Sequence, residues 1–296
     1  PDTAGVEISN SGTAEIFDCR FTGQITNSSP FEPGKGLTIH GGTFRSAEDY
    51  NVSNSWGRVT IEYGDFRMLG KYASDCNVQT EAGNVYAELE TVIRGGEYYC
   101  EGGDCVSNGA GAGVRARTII EDGNFYSTGG SCVGNAGIMT ILQGTFVSEK
   151  TSSSEGCVTN TRDGELTISG GSFTSQKGNC CVYSYDTFGS ELLKLTISGG
   201  TFSAPEGFSA IKGDSCTLLV GDNSDIELST RFGLFQSGSY EGEFQLTVDT
   251  PAGYDGGIVY YDAPEGAGVS VTPAELMAMD FSREKYLRLV GDMSLG

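Results

Sequence analysis

The eight residues LTISGGSF, Leu166 to Phe173, return almost unchanged as LTISGGTF at Leu195 to Phe202 and as LTIHGGTF at Leu37 to Phe44. Looser copies stand at Val59 to Phe66 (VTIEYGDF), Thr91 to Tyr98 (TVIRGGEY), Thr118 to Phe125 (TIIEDGNF) and Met139 to Phe146 (MTILQGTF), with a degenerate one, AEIFDCRF, at Ala14 to Phe21. A phrase rewritten in this way is a structural unit that buries its apolar face only by stacking on its neighbours. The third place is isoleucine in every copy (Ile16, Ile39, Ile61, Ile93, Ile120, Ile141, Ile168, Ile197), and the last is always Phe or Tyr. The fourth place instead runs through His40, Glu62, Arg94, Glu121, Leu142, Ser169 and Ser198. A fixed apolar column beside one that accepts either charge is the period-two signature of a strand with one buried and one wet face. Glycine fills the sixth place of the seven good copies, where a turn is expected.

The spacing between aromatic ends varies, from 21 residues between Phe125 and Phe146 to 32 between Phe66 and Tyr98. A constant unit with variable linkers excludes leucine-rich, ankyrin and propeller arrays. A second phrase follows each aromatic: NVSN at Asn51, NVQT at Asn77, CVSN at Cys105, CVGN at Cys132, CVTN at Cys157, CVYS at Cys181 and AIKG at Ala210. It keeps one apolar column of its own, Val52, Val78, Val106, Val133, Val158, Val182 and Ile211. Two short strands per coil, each with one apolar column, predict a chain wound into parallel sheets, like residue over like, with coils about 4.8 Å apart.

On these phrases the chain resembles the right-handed parallel β-helix proteins of secreted and cell-surface type, particularly the β-helical surface proteins of Gram-positive bacteria with GGTF-like coils. The resemblance covers about Val6 to Leu228. It implies an all-β, right-handed solenoid of about eight or more coils over 1–228, and leaves 229–296 for a small C-terminal cap. In that last part Phe244 to Val248 (FQLTV) and Gly257 to Tyr261 (GIVYY) read as strands, and Pro273 to Asp280 as a short helix with Thr272 as N-cap.

Charge narrows the partners. Eighteen Lys+Arg against 39 Asp+Glu give a net charge of -21, which repels nucleic acid and anionic membranes. No apolar run is long enough to span a bilayer, so no membrane insertion is expected. The start at Pro1, without an apolar leader, reads as a mature chain or an excised segment. Nine cysteines without Cys-x-x-Cys pairs, beside a single histidine, read as disulfide formers rather than metal ligands and place the chain outside the cytoplasm or at the cell surface. Cys105, Cys132, Cys157 and Cys181 share one place in consecutive coils. Cys105–Cys132 and Cys157–Cys181 bonds are sterically allowed there, and a buried ladder of free thiols fits equally well.

The chemistry is less legible. His40 occupies the outward column, no Gly-x-Ser-x-Gly elbow is present, and GDNSDIE at Gly221 to Glu227 lacks the order of a calcium loop and reads as a turn. No cofactor is expected, and calcium is only weakly suggested. Threonines at 38, 60, 140, 167 and 196 recur, but Val92 and Ile119 interrupt them, so an ice-binding face is not indicated. Glu62, Asp65, Glu97, Glu121 and Asp122, with Arg94 among them, would share an outer face, where paired carboxylates could serve a glycoside hydrolase or polysaccharide lyase. The favoured expectation is a non-enzymatic adhesion or scaffold module binding glycan or host-surface protein. Trp56, Tyr72, Tyr86, Tyr183, Tyr185 and Phe188 are its candidate contacts.

Overall fold

The computed structural model describes residues 6–81, 88–109, 116–151, 156–177, 180–185, 193–204, 211–214, 217–228, 235–236, 257–261, 269–271 and 286–290. Side chains are described through Ile211, with Val6 and Ser198 excepted. The chain is a parallel β-helix. Its 23 strands from Val6 to Leu228 belong to one connected system in which every pairing is parallel. Among the described residues there is no helix, and none long and apolar enough to cross a membrane.

Each coil lays down three strands rather than the two expected, because the repeated phrase is itself bent. The middle coils show the pattern. A first sheet contains Leu89–Ile93, Arg117–Ile120, Ile138–Ile141 and Glu165–Ile168. A second contains Glu97–Cys100, Asn124–Ser127, Thr145–Ser148 and Ser172–Ser175. A third contains Asp104–Asn108, Val133–Asn135, Val158–Thr161 and Val182–Tyr185. The bend between the first and second sheets is the glycine of the sixth place. Gly42, Gly96, Gly123, Gly144, Gly171 and Gly200 hold φ between 105° and 137°, which side chains with a Cβ rarely adopt. Parallel neighbours cannot be joined by a hairpin, so the other two sheets serve as the crossover between successive strands of each.

Register stacks like on like. Ile93, Ile120, Ile141 and Ile168 pair along the first sheet, Tyr98, Phe125, Phe146 and Phe173 along the second, and Val106, Val133, Val158 and Val182 along the third. All are buried. The rings from Phe44 to Phe202 form an unbroken pile, with centroids 4.6 to 5.0 Å apart and planes within 9° of parallel. The coil spacing sets this parallel stacking, and burial of each ring contributes on the order of 1.5–3 kcal/mol.

A second inner stack is polar. The last residue of the third-sheet phrase turns inward as a ladder of buried amides: Asn10 Nδ2 donates to Asn27 Oδ1 at 2.9 Å, Asn27 to Asn54 at 3.0 Å, Asn108 to Asn135 at 2.7 Å and Asn135 to Asn160 at 2.8 Å. Thr80 breaks the amide column, and hydroxyls fill the gap. Asn54 Nδ2 donates to Thr91 Oγ1 at 3.2 Å, Thr80 Oγ1 to Thr91 Oγ1 at 2.8 Å, and Thr118 Oγ1 to Asn108 Oδ1 at 3.1 Å.

Beyond Leu228 the pairing changes. Phe235–Gln236, Gly257–Tyr261, Val269–Val271 and Tyr286–Val290 form a separate antiparallel sheet. The strand expected at Phe244 to Val248 and the helix expected at Pro273 to Asp280 lie outside the described residues. The GDNSDIE segment, expected as a turn, runs within the strand Thr217–Leu228.

Candidate functional site

The predicted acidic residues occupy two columns along one corner of the prism. At the turn between the first and second sheets, Glu62, Arg94 and Glu121 stack in successive coils. Arg94 reaches Glu62 at 3.2 Å and Glu121 at 3.5 Å. His40 continues this column, with Nδ1 3.0 Å from Glu62 and its ring stacked on Phe17 at 4.3 Å. His40 is thus half-buried between an aromatic ring and a carboxylate, not a simple surface group. Asp122 turns back on its own loop and accepts from the Gly123 amide at 2.8 Å.

The second column belongs to the outer face of the second sheet. Asp65, Glu97, Asn124 and Thr145 are register-matched neighbours there. Asp65 accepts from Arg67 Nε at 3.1 Å and lies 3.5 Å from Arg45, and Glu97 accepts from Asn124 Nδ2 at 2.8 Å. Two residues along the same strands, Arg67, Tyr99, Tyr126 and Val147 form a parallel column. The rings of Tyr99 and Tyr126 lie 5.9 Å apart and within 9° of parallel. Tyr126 donates its hydroxyl to Glu149, which also binds Lys177. Those two partners lower the Glu149 carboxyl, and the bond to Glu149 pushes the Tyr126 phenol up to about 12. The two columns, from Asp65 to Thr145 and from Arg67 to Val147, line a shallow groove of about 360 Å³ with an aromatic floor and a polar edge.

A third feature lies on the outer face of the third sheet, in a groove of about 330 Å³ that includes Asp104, Ser107, Gly134, Thr159 and Lys150. Asp104 accepts from the Ser131 amide at 2.9 Å and folds across Gly134, where a Cβ would lie 2.2 Å from its Oδ2. Burial pushes its carboxyl up to about 6, and burial likewise lowers the Lys150 ammonium.

The aromatic candidates do not converge. Trp56, expected in a turn, stands at a register shift inside the strand Tyr50–Ile61 and is 40 % exposed. Tyr72 is 74 % exposed on a separate loop. Tyr183 and Tyr185 stack on each other at 4.5 Å, and Tyr183 is buried at 8 % exposure, which fits packing better than contact. Tyr86 and Phe188 lie outside the described residues. The described cysteines are free thiols. Cys105, Cys132, Cys157 and Cys181 are fully buried in one column, and burial raises each thiol.

Tyr99 and Tyr126 escaped the sequence reading although the signal was present, since each follows the aromatic that closes a repeat by one residue. Extending the aligned phrase by that place gives the outer column Arg67, Tyr99, Tyr126, Val147 directly. Asp104 and Lys150 had no comparable signal, because they reach the same groove from different coils. Among the described residues no cluster of His, Cys, Asp and Glu could hold a metal ion. Comparisons with protein-family models, with curated proteins and with solved structures give no match to this chain.

Proposed function

We propose that the chain is a non-enzymatic adhesion or scaffold module of an extracellular or cell-surface protein, and that it binds an extended, uncharged glycan along the outer face of the second sheet. The observation that carries this reading is the near-parallel pair Tyr99 and Tyr126, 5.9 Å apart in consecutive coils, beside Asp65, Glu97 and Asn124. Tyrosine offers an apolar ring with a polar tip, and carboxylates and amides beside it accept and donate to sugar hydroxyls. Because the contacts recur once per coil, they favour a polymer lying along the rod, each sugar meeting one coil. A polyanionic glycan is disfavoured by the net charge of -21 and by the prior engagement of Arg45 and Arg67 with Asp65.

The competing hydrolase or lyase reading asks the same corner for a carboxyl that gives or takes a proton. Glu62, Asp65, Glu97 and Glu121 are each engaged instead by a cation or an amide within 3.5 Å. That engagement suits positioning hydroxyls better than proton transfer.

The test is a glycan array followed by titration with neutral oligosaccharides of increasing length. Affinity is expected to rise with length, and Tyr99→Ala or Tyr126→Ala to weaken it about tenfold, roughly 1.4 kcal/mol, at unchanged thermal midpoint. Undiminished binding in the double variant would refute the assignment. Release of reducing or unsaturated ends that survives in Tyr99→Ala but is lost in Glu62→Gln or Glu121→Gln would favour the enzyme.

A further inference from the structure

We propose that Cys132 and Cys157 form an internal disulfide between consecutive coils when the chain folds in an oxidising medium, and that the folded molecule afterwards neither gains nor loses it. Four cysteines share the inner column of the third sheet, and sequence position treats them alike. Their surroundings do not. The Cys105 sulfur lies against the carbonyl oxygens of Tyr98 and Tyr126 at 3.6 and 3.3 Å, that of Cys132 against those of Phe125 and Val147 at 3.3 and 3.1 Å, and that of Cys181 against those of Phe173 and Ser203 at 3.3 and 3.0 Å. The Cys157 thiol is directed instead at the sulfur of Cys132, 3.5 Å away. The backbone holds the two residues in place: the Cys157 carbonyl accepts from the Cys132 amide at 2.7 Å and from the Val133 amide at 3.2 Å. Each cysteine stands one residue before its strand, Val133–Asn135 and Val158–Thr161, whose first residues pair in register, and the spacing of adjacent parallel strands falls within the span a disulfide bridges, so side-chain rotation closes the remaining gap.

The oxidant required is a low-molecular-weight disulfide such as glutathione disulfide. One cysteine thiolate attacks it, forming a mixed disulfide and releasing one reduced glutathione; the second cysteine then attacks the protein sulfur and releases the other. Two electrons and both thiol protons leave with the two glutathione molecules, and one S–S bond remains in the protein. Both steps need a thiolate and access. In the folded rod neither is provided, because Cys132 and Cys157 have no exposed surface and burial holds both thiols far above their ordinary range. The exchange therefore belongs to folding, before the coil carrying Cys157 seals onto the coil carrying Cys132. The state of this pair records the medium in which the chain folded.

The experiment refolds the full chain from denaturant, once in oxidised and reduced glutathione and once in reductant, and maps peptides without reduction. A Cys132–Cys157 peptide is expected in the first sample and none in the second. The reduced, folded protein should stay unlinked for hours in glutathione disulfide, and the linked form should melt several degrees higher because the loop is closed in its unfolded state. A Cys105→Ala, Cys181→Ala double variant should keep the link. A dominant Cys105–Cys132 or Cys157–Cys181 peptide, a natively folded oxidised sample without any link, or rapid linking of the folded reduced protein would each overturn the proposal. Should refolding yield no folded chain, cell-free synthesis in the same two media gives the same readouts.

Discussion

Replacing Asn135 by alanine tests whether the buried amide ladder holds the coils together. Its Oδ1 accepts from Asn108 Nδ2 at 2.7 Å and from the Gly137 amide at 3.1 Å, while its Nδ2 donates to Asn160 Oδ1 at 2.8 Å and to the Gly137 carbonyl at 3.2 Å. Truncation does not orphan Asn108, whose Nδ2 also bonds the Ala116 and Ile138 carbonyls at 3.2 and 3.1 Å. Truncation does remove the bond from the Gly137 amide to Asn135 Oδ1 and the bond that Asn160 Oδ1 accepts from Asn135 Nδ2. Each buried polar group left alone costs about 1–3 kcal/mol, so the variant should lose about 2–6 kcal/mol. Against a typical stability of about 5–15 kcal/mol this is a large fraction. Guanidinium unfolding followed by far-UV circular dichroism measures it, with Ser107→Ala on the outer face of the same sheet as control. Because each coil touches only its neighbours, amide exchange should accelerate first around Gly137 and Glu165. A loss below about 1 kcal/mol, or one no larger than that of the control, would refute the claim that the ladder is a cohesive element.

Two further outcomes concern Asp104. Gly134→Ala should destabilise the fold by more than about 1 kcal/mol, since its Cβ would sit 2.2 Å from Asp104 Oδ2, and most of that cost should vanish in an Asp104→Ala background; equal costs in both backgrounds would contradict the contact. Burial raises the Asp104 carboxyl from 3.8 to about 6, so the folded state holds its proton more tightly than the unfolded chain. Stability from this group is therefore present below pH of about 4 and falls as pH rises to about 6, by at most about 3 kcal/mol. Asp104→Asn should flatten that part of the stability-versus-pH curve.

How far each feature could be read depends on how many coils repeat it. Ile39, Ile61, Ile93 and Ile120 recur at the same place, so their common burial followed from alternation alone. The amide ladder was equally present in the phrases CVSN, CVGN and CVTN, but asparagine after a strand also reads as a turn residue, and only its inward orientation separates the two roles. Three strands per coil replaced the expected two because a glycine at φ 115°, as at Gly96, bends one apparently continuous phrase between two sheets. The predicted acidic residues did meet along one corner, since they are columns of the repeat. The predicted aromatics did not, since Trp56, Tyr72 and Tyr183 come from unrelated linkers whose paths the repeat does not specify.

The sequence by itself determined the parallel β-helix, its coil boundaries and its inner isoleucine and aromatic columns, because stacking identical coils makes every buried position answer to one periodic pattern. Only the tertiary structure decided which outward columns lie side by side, that Tyr126 ties to Glu149 and Glu149 to Lys177, and that Asp104 is shut against Gly134. Those relations depend on angles of turns and on contacts between coils. A linear pattern fixes which residues are equivalent, whereas the distance between non-equivalent ones is set by how the chain bends.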